Sequence, residues 1–327
     1  MKKVLVIGLG SMGKRRVRLL SGFEDVTVFG VDGRQDRREE ANEKFGITCF
    51  SSIDDALKAE PQIDRAVIST SPLAHAAIVT ECLKRNLHVF TELNLVDDGY
   101  ATNMAMAKEK NLVLFQSSTA LYKQDIQKTI ERIKSVNCPL NYIYHIGQYL
   151  PDWHPWESYN NFFIGDKRTN GPREILAVEL PWLIVAFGKV KKFHIFRTKD
   201  TTLNIDYEDN YMIMLEHESG AKGMLATDVV ARKAIRHFEI YGEDLHITWD
   251  GTPDTLYEYD INTQKDIHYQ FEDAAEHVDG YASFVRENPY RDELREYFAK
   301  IEDRSITTKW SYEQDLYIIK LMDDLEA

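Results

Sequence analysis

Along the first third of the chain, short apolar runs alternate with segments whose apolar residues recur at helical spacing. Residues 4–7, 26–31, 65–69, 87–90 and 112–115 are near-continuous apolar runs, the pattern of parallel strands covered on both faces. Residues 12–20, 34–45, 53–59, 74–85 and 100–110 between them read as helices. Ser51 or Ser52 is placed to cap the third, with Asp54 and Asp55 favourable to its dipole. This alternation predicts an α/β, doubly wound parallel sheet.

Beyond about residue 120 the rhythm changes. A helix at 123–134 is followed by segments 141–150, 191–198, 211–215, 222–228, 238–241, 245–249 and 255–259, rich in Tyr, Ile, Val, Phe and Thr. These read as strands joined by hairpins such as Glu216-His217-Glu218-Ser219-Gly220. A helix at 173–187 interrupts them and two helices close the chain. The expectation is two domains: 1–119 with the doubly wound sheet, and 120–327 as an α+β domain with a mostly antiparallel, open sheet. Tyr211-Met212-Ile213-Met214-Leu215 is apolar throughout, as for a strand buried on both sides.

Composition narrows the function classes. With 327 residues, 43% of them apolar, the chain can bury a sizeable core, which excludes a disordered or fibrous protein. The net charge of -13 and the lack of a long basic run argue against nucleic acid as a partner. Cys49, Cys82 and Cys138 are odd in number and in no metal-ligand spacing, so reduced, mostly buried thiols are expected, with no disulfide and no zinc. Lys2-Lys3 precedes an apolar run too short for a signal peptide, and no stretch approaches a membrane span of about 20 residues. The cytoplasm is the expected location.

Gly8-Leu9-Gly10-Ser11-Met12-Gly13 is a G-x-G-x-x-G between the first strand and the first helix. The first glycine permits the turn, the second lets backbone approach a pyrophosphate, and the third lets helix pack on strand. Asp32 ends the second strand, where a carboxylate can hold the adenine-ribose hydroxyls. A Rossmann domain binding a nicotinamide dinucleotide follows. Asp32 favours NAD because it repels a 2'-phosphate; Arg34, Arg37 and Arg38 just beyond it keep NADP open.

Ser71-Pro72-x-x-His75, Glu81-Cys82-Leu83 and Asn86-Leu87-His88-Val89-Phe90-Thr91-Glu92, with a closing Ser311-Tyr312-Glu313-Gln314, resemble the glucose-fructose oxidoreductase/inositol dehydrogenase/MocA-like (Gfo/Idh/MocA) family. Gly147-Gln148-Tyr149-Leu150-Pro151-Asp152-Trp153 looks further like a branch associated with bacterial surface sugars. The resemblance implies that Gly8, Gly10, Ser11, Met12, Gly13 and Asp32 hold the adenosine and pyrophosphate half. It implies that Thr70, Ser71, Pro72 and His75 flank the nicotinamide, and that Glu92, in one motif with Asn94, lies near its ribose.

The family's proton-handling motifs are degenerate here. The lysine of E-K-P is replaced in Glu92-Leu93-Asn94, and a leucine can neither take a proton nor polarise a carbonyl. The D-x-x-x-H helix carries Glu174 at the aspartate and Val178 at the histidine. Gln116 and Ser118 stand where the family has asparagine and arginine. Remaining candidates for acid-base work are Glu174, Glu179 and His154, with Tyr149, Trp153 and Trp156 as surfaces for a sugar ring. A carboxylate at 179 on an otherwise apolar helix is costly unless paired or used.

The leading expectation is an NAD(P)-dependent oxidoreductase acting on a sugar, cyclitol or sugar-nucleotide hydroxyl. The alternatives are a cofactor-binding protein without net redox activity, regulatory or a partner subunit, and an NAD-retaining epimerase or glycosidase. The open sheet and the resemblance imply a homodimer or homotetramer.

Overall fold

The computed structural model describes residues 1–153, 157–271 and 286–327. The chain divides into two compact units, Met1–Ser118 with Tyr290–Lys320, and Thr119–Pro289 with Leu321–Ala327.

In the first unit β1 (Lys2–Ile7), α1 (Ser11–Ser21), β2 (Val26–Val31), α2 (Gln35–Phe45), β3 (Thr48–Phe50), α3 (Ile53–Ala59), β4 (Arg65–Ile68), α4 (Pro72–Lys84), β5 (His88–Thr91), α5 (Tyr100–Glu109) and β6 (Leu114–Gln116) follow in order. The six strands are parallel in the order β3-β2-β1-β4-β5-β6. The order reverses beside β1, so the loops after β1 and β4 face one crevice, where doubly wound sheets bind ligands. All four residues of β4 are buried, as a strand covered on both faces requires. Ser52 caps α3, its side chain accepting from the Asp55 amide.

The second unit contains α6 (Gln124–Ser135), β7 (Asn141–Gly147), α7 (Gly171–Phe187), β8 (Val190–Thr198), β9 (Asn210–His217), β10 (Lys222–Asp228), β11 (Ile235–Tyr241), β12 (His246–Trp249), β13 (Tyr257–Asp260) and β14 (Lys265–His268). Its eight-stranded sheet has the order β14-β13-β12-β11-β7-β10-β9-β8, antiparallel except for the β7/β10 pair. Tyr142, Tyr144, Phe187, Trp182 and Phe238 fill one face, with Tyr142 on Phe187 at 4.9 Å and Trp182 on Phe238 at 5.0 Å between ring centres.

Four expectations are corrected. The domain boundary near 119 lies within one residue of the observed one, yet residues 290–320 return to the first unit rather than staying with 120–327. The cause is aromatic burial: Tyr297, on α8 (Asn288–Glu302), packs on Phe90 and Phe115, and Tyr312, opening α9 (Tyr312–Glu326), bonds Thr91. Within this chain β9 is not buried on both sides, because Met212 and Met214 are exposed while Tyr211, Ile213 and Leu215 are buried. β7 stops at Gly147 and the chain turns through a 3-10 segment at Leu150–Asp152. Of the three thiols, all free, only Cys82 is fully buried.

Candidate functional site

The turn joining β1 to α1 is closed by the positions of its glycines. Gly8 has φ +89°, and a Cβ there would meet the Ser69 carbonyl and the Thr70 methyl at 2.8 Å. A Cβ on Gly13 would lie 1.8 Å from the Gly8 carbonyl oxygen. At Gly10 the nearest atom is Arg37 Nη1 at 3.7 Å, so the protein itself leaves room for a side chain. A glycine at 10 would be needed only for a close approach from outside, such as a pyrophosphate would make. Gly10 is also the N-cap of α1 and offers no side-chain cap, an arrangement that suits an anion at the helix N-terminus. Ser11 and Met12 form the first turn of that helix.

Asp32 follows β2 with its carboxylate tied from both ends. Oδ2 accepts from the Leu9 amide at 2.8 Å and Oδ1 from the Arg34 amide at 2.9 Å. Arg37 Nη1 stands 3.6 Å from Oδ2, while the Arg34 guanidinium turns to Asp36. Arg38 donates to the carbonyls of Asp32 and Gly33. Both carboxylate oxygens keep further acceptor capacity for ribose hydroxyls.

Beyond β4, Ser69 and Thr70 pass the glycine turn. Ser69 Oγ and Thr70 Oγ1 are buried with no hydrogen-bond partner among the described residues, two unspent hydroxyls beside the glycine loop. With the cradle at Gly8, Gly10 and Gly13, these are the features a dinucleotide would complete. Ser71 caps α4 through backbone alone and Pro72 occupies its first turn, where the missing N–H costs nothing. His75, buried on α4, reaches back so that Nε2 lies 3.0 Å from the Thr70 carbonyl, while Nδ1 lies 2.7 Å from Asn94 Oδ1.

That arrangement is fixed from a distance. Gln116 donates to the carbonyls of Glu92 and Ser117, so its Oε1 must accept, from Asn94 Nδ2 at 2.6 Å and from Thr91 Oγ1 at 3.0 Å. Asn94 therefore turns Oδ1 to His75. Burial lowers the pKa of His75, against the opposing influence of Asn94, the Thr70 carbonyl and Glu92. Glu92 is held by the fully buried Arg16, whose Nε lies 2.5 Å from Oε1, and Arg16 also meets Glu293 at 2.5 Å. Burial alone would lower the pKa of Arg16; the carboxylates of Glu92 and Glu293 reverse this and raise it.

In the second unit α7 carries the remaining carboxylates. Asn170 caps it by accepting from the Arg173 amide, Pro172 sits in its first turn, and Pro181 within it removes one backbone donor. Glu174 is only partly exposed, and its Oε2 is buried without a hydrogen bond among the described residues. Burial pushes its carboxyl up to about 7. Glu179 is engaged at both oxygens: Tyr144 Oη at 2.6 Å and Trp182 Nε1 at 2.8 Å donate to Oε2, and Arg236 Nη2 lies 2.6 Å from Oε1. The geometry favours the paired reading of Glu179, with two donors on Oε2 and the Arg236 guanidinium beside Oε1.

The Tyr149 ring lies under the Arg232 guanidinium at 4.0 Å, and Trp153 packs with Leu150, Ile164 and Val229 while donating Nε1 to the Gln148 carbonyl. His154 and Trp156 lie outside the described residues. Sequence reasoning missed the Ser69 hydroxyl, the orienting role of Gln116, and Arg236 as the partner of Glu179. For Ser69 the signal was available, since it directly precedes Thr70-Ser71-Pro72.

A family model described as an oxidoreductase family with an NAD-binding Rossmann fold matches residues 2–117. A myo-inositol 2-dehydrogenase from Thermotoga maritima is 27% identical over 138 residues, 41% of each chain. The match thus spans well under half the length of that curated relative. Among solved structures, an oxidoreductase from Agrobacterium radiobacter in complex with NAD+, L-tartaric acid and magnesium superposes with a TM-score of 0.80 at 15% identity, over 98% of this chain and 94% of that one. UDP-N-acetylglucosamine 3-dehydrogenase GnnA from Acidithiobacillus ferrooxidans gives 0.78 at 16%, over 99% and 96%. Likeness at this identity speaks for the fold across both units.

Proposed function

We propose, from a first domain that belongs to the Gfo/Idh/MocA family of NAD-binding oxidoreductases, that this protein is an NAD(P)-dependent dehydrogenase acting on a hydroxyl of a sugar, cyclitol or sugar-nucleotide. The observation that carries the chemistry is Glu174: a partly enclosed carboxyl, one oxygen of which has no hydrogen bond among the described residues, pushed up by burial to about 7. Such a group is matched to moving a proton at neutral pH.

NAD or NADP, when bound, supplies the hydride acceptor or donor. The N-terminus of α1 and the backbone at Gly10 bind its pyrophosphate, and Asp32 accepts from ribose hydroxyls. His75 fixes the Thr70 carbonyl, and through it the loop after β4, in one conformation. Glu174 takes the proton of the substrate hydroxyl in the oxidising direction and returns it in the reducing one.

The test is a fluorescence titration with NADH and NADPH, with sugars, cyclitols and sugar-nucleotides screened in the same cuvettes for nicotinamide turnover. Turnover that Glu174→Gln lowers by about 100-fold supports the reading, within the usual range for general acid-base catalysis. Cofactor binding without turnover on any substrate moves the protein to the class without net redox activity. No cofactor binding overturns the proposal altogether.

The open face of the second sheet supports a homo-oligomer. Phe196 is 76% exposed and Met212, Met214 and Met224 stand beside it across paired strands. A contiguous apolar face of this kind is kept from water in soluble proteins by association. Among the described residues no helix is long and apolar enough to cross a membrane.

A further inference from the structure

On the face of the eight-stranded sheet that carries Phe196 and the exposed methionines, strand register sets residues in rows that cross the sheet. One row runs Phe196, Met212, Ala226, His145, His237. The next runs His194, Met214, Met224, Ile143, Glu239. Register and alternation along β12, β13 and β14 add His246 and His268 to the same face. Five of the chain's ten histidines, each on a different strand, therefore share one side of the sheet. The apolar side chains gather on β8, β9 and β10, and four of the five histidines on the other strands.

Three of these histidines meet carboxylates. His145 Nε2 lies 2.8 Å from Asp228 Oδ2, His237 Nδ1 lies 2.6 Å from Asp250 Oδ1, and His246 Nε2 lies 3.0 Å from Glu239 Oε1. Among the described residues, each of these carboxylates has a histidine as its only ion-pair partner. Burial raises the pKa of Asp228, yet His145 and the amides of Ala231 and Val230 hold it below the ordinary carboxylate value. His194 and His268 are in no ion pair among the described residues. Elsewhere on the face, Lys192 and Lys222 flank Glu216 across the paired strands, and Asp266 lies opposite Tyr259. With neutral histidines, β7, β11 and β12 thus border three unmatched negative charges. With protonated histidines, every one of the three is matched.

At about 4.8 Å between strands and about 3.3 Å per residue, the face covers about 800 Å², the area that each partner gives to a standard interface. β11 and β7 are the fourth and fifth of the eight strands, so a two-fold axis that overlaps two such faces fully passes between them. His145, His237 and their carboxylates then approach the same groups of a second copy, and like charges meet unless each carboxylate is matched. We propose that this face binds a second copy of the chain and that proton uptake by His145 and His237 tightens the association as the pH falls from 8 to 6. An ordinary histidine titrates at about 6.5, inside that window. A matched pair is buried at lower cost than a lone carboxylate. The associated form binds more protons than the separate chains, so its stability is lost as the pH rises. The inference rests on the homo-oligomer put forward above and adds its regulation; the dehydrogenase reading does not enter it.

The experiment is sedimentation equilibrium of the full chain at pH 6, 7 and 8, at constant ionic strength and without cofactor. The expected result is a dissociation constant at least about tenfold lower at pH 6 than at pH 8. The double variant His145→Gln, His237→Gln keeps two polar side chains that cannot take up a proton, and should flatten that dependence. The general loss of negative charge on acidification persists in this variant, so an undiminished dependence in the folded double variant overturns the assignment to the two histidines. Asp250→Asn, at an exposed position, removes one carboxylate from the face and should tighten association at pH 8. It decides the matter if the double variant does not fold, and association no tighter than wild type at pH 8 then overturns the proposal. An oligomer indifferent to pH, or one that tightens as the pH rises, overturns the proton dependence and leaves the homo-oligomer standing. A monomer at all three pH values overturns both.

Discussion

His75 Nδ1 and Asn94 Oδ1 lie 2.7 Å apart, and the orientation of that pair is dictated by two backbone carbonyls that neither residue touches. Gln116 is anchored by them, Asn94 by Gln116, and His75 by Asn94. Asn94→Leu should therefore act at both ends of the chain. It leaves a ring nitrogen and the Gln116 carbonyl oxygen short of a buried partner, a loss of about 2 kcal/mol in chemical denaturation. It also removes an interaction that raises the pKa of His75, so the ring should titrate lower still by NMR.

The glycines separate folding from binding. Gly13→Ala places a methyl 1.8 Å from the Gly8 carbonyl oxygen and should give a strongly destabilised or insoluble protein. Gly10→Ala meets nothing closer than 3.7 Å, so its melting temperature should stay within a few degrees of wild type. Its NADH affinity should fall by at least about tenfold, because the methyl stands where a phosphate must approach.

Asp32→Asn keeps the acceptor oxygen for one amide and removes the negative charge. NADH affinity should drop by about tenfold with a lost charged hydrogen bond. NADPH should lose less, or gain, since Arg37 at 3.6 Å is released to meet a 2'-phosphate. A fluorescence titration with both cofactors reads the ratio.

Glu174 sets a pH dependence with a definite sign. Its carboxyl is raised from 4.5 to about 7 on folding, so between those values the folded chain holds a proton that the unfolded chain has lost. Its contribution to stability is present below pH 4.5 and is lost as the pH rises through about 7. Glu174→Gln should be more stable than wild type at pH 8 by about 2 kcal/mol, with the difference vanishing near pH 4.5. In the oxidising direction, wild-type kcat should rise through about pH 7 as Glu174 becomes able to accept a proton.

For the open sheet, the double variant Phe196→Glu, Met214→Lys should leave the fold intact, since both side chains point away from the buried face. Sedimentation should shift from an oligomer to a monomer at micromolar concentration. An unchanged oligomer places the interface elsewhere, and a wild-type monomer removes the proposal.

What was legible in the sequence was local. The parallel strands, the glycine turn and the acid at 32 follow from periodicity and from backbone conformations that only certain residues adopt. The short edge strands, Thr48–Phe50 and Lys265–His268, escaped because three or four residues carry too little periodicity, and the latter is exposed throughout.

The sequence by itself determined a Rossmann half with its glycine turn and the acid at 32, and a switch to a mostly antiparallel second half. Only the tertiary structure decided that Tyr297 and Tyr312 bring the chain's end back to the first unit. It alone paired Glu179 with Tyr144, 35 residues away, and with Arg236. The reason is physical: periodicity records how each residue sits relative to its neighbours in sequence. The partner of a buried charge, by contrast, is fixed by packing across the whole sheet, and nothing near it in the chain records that choice.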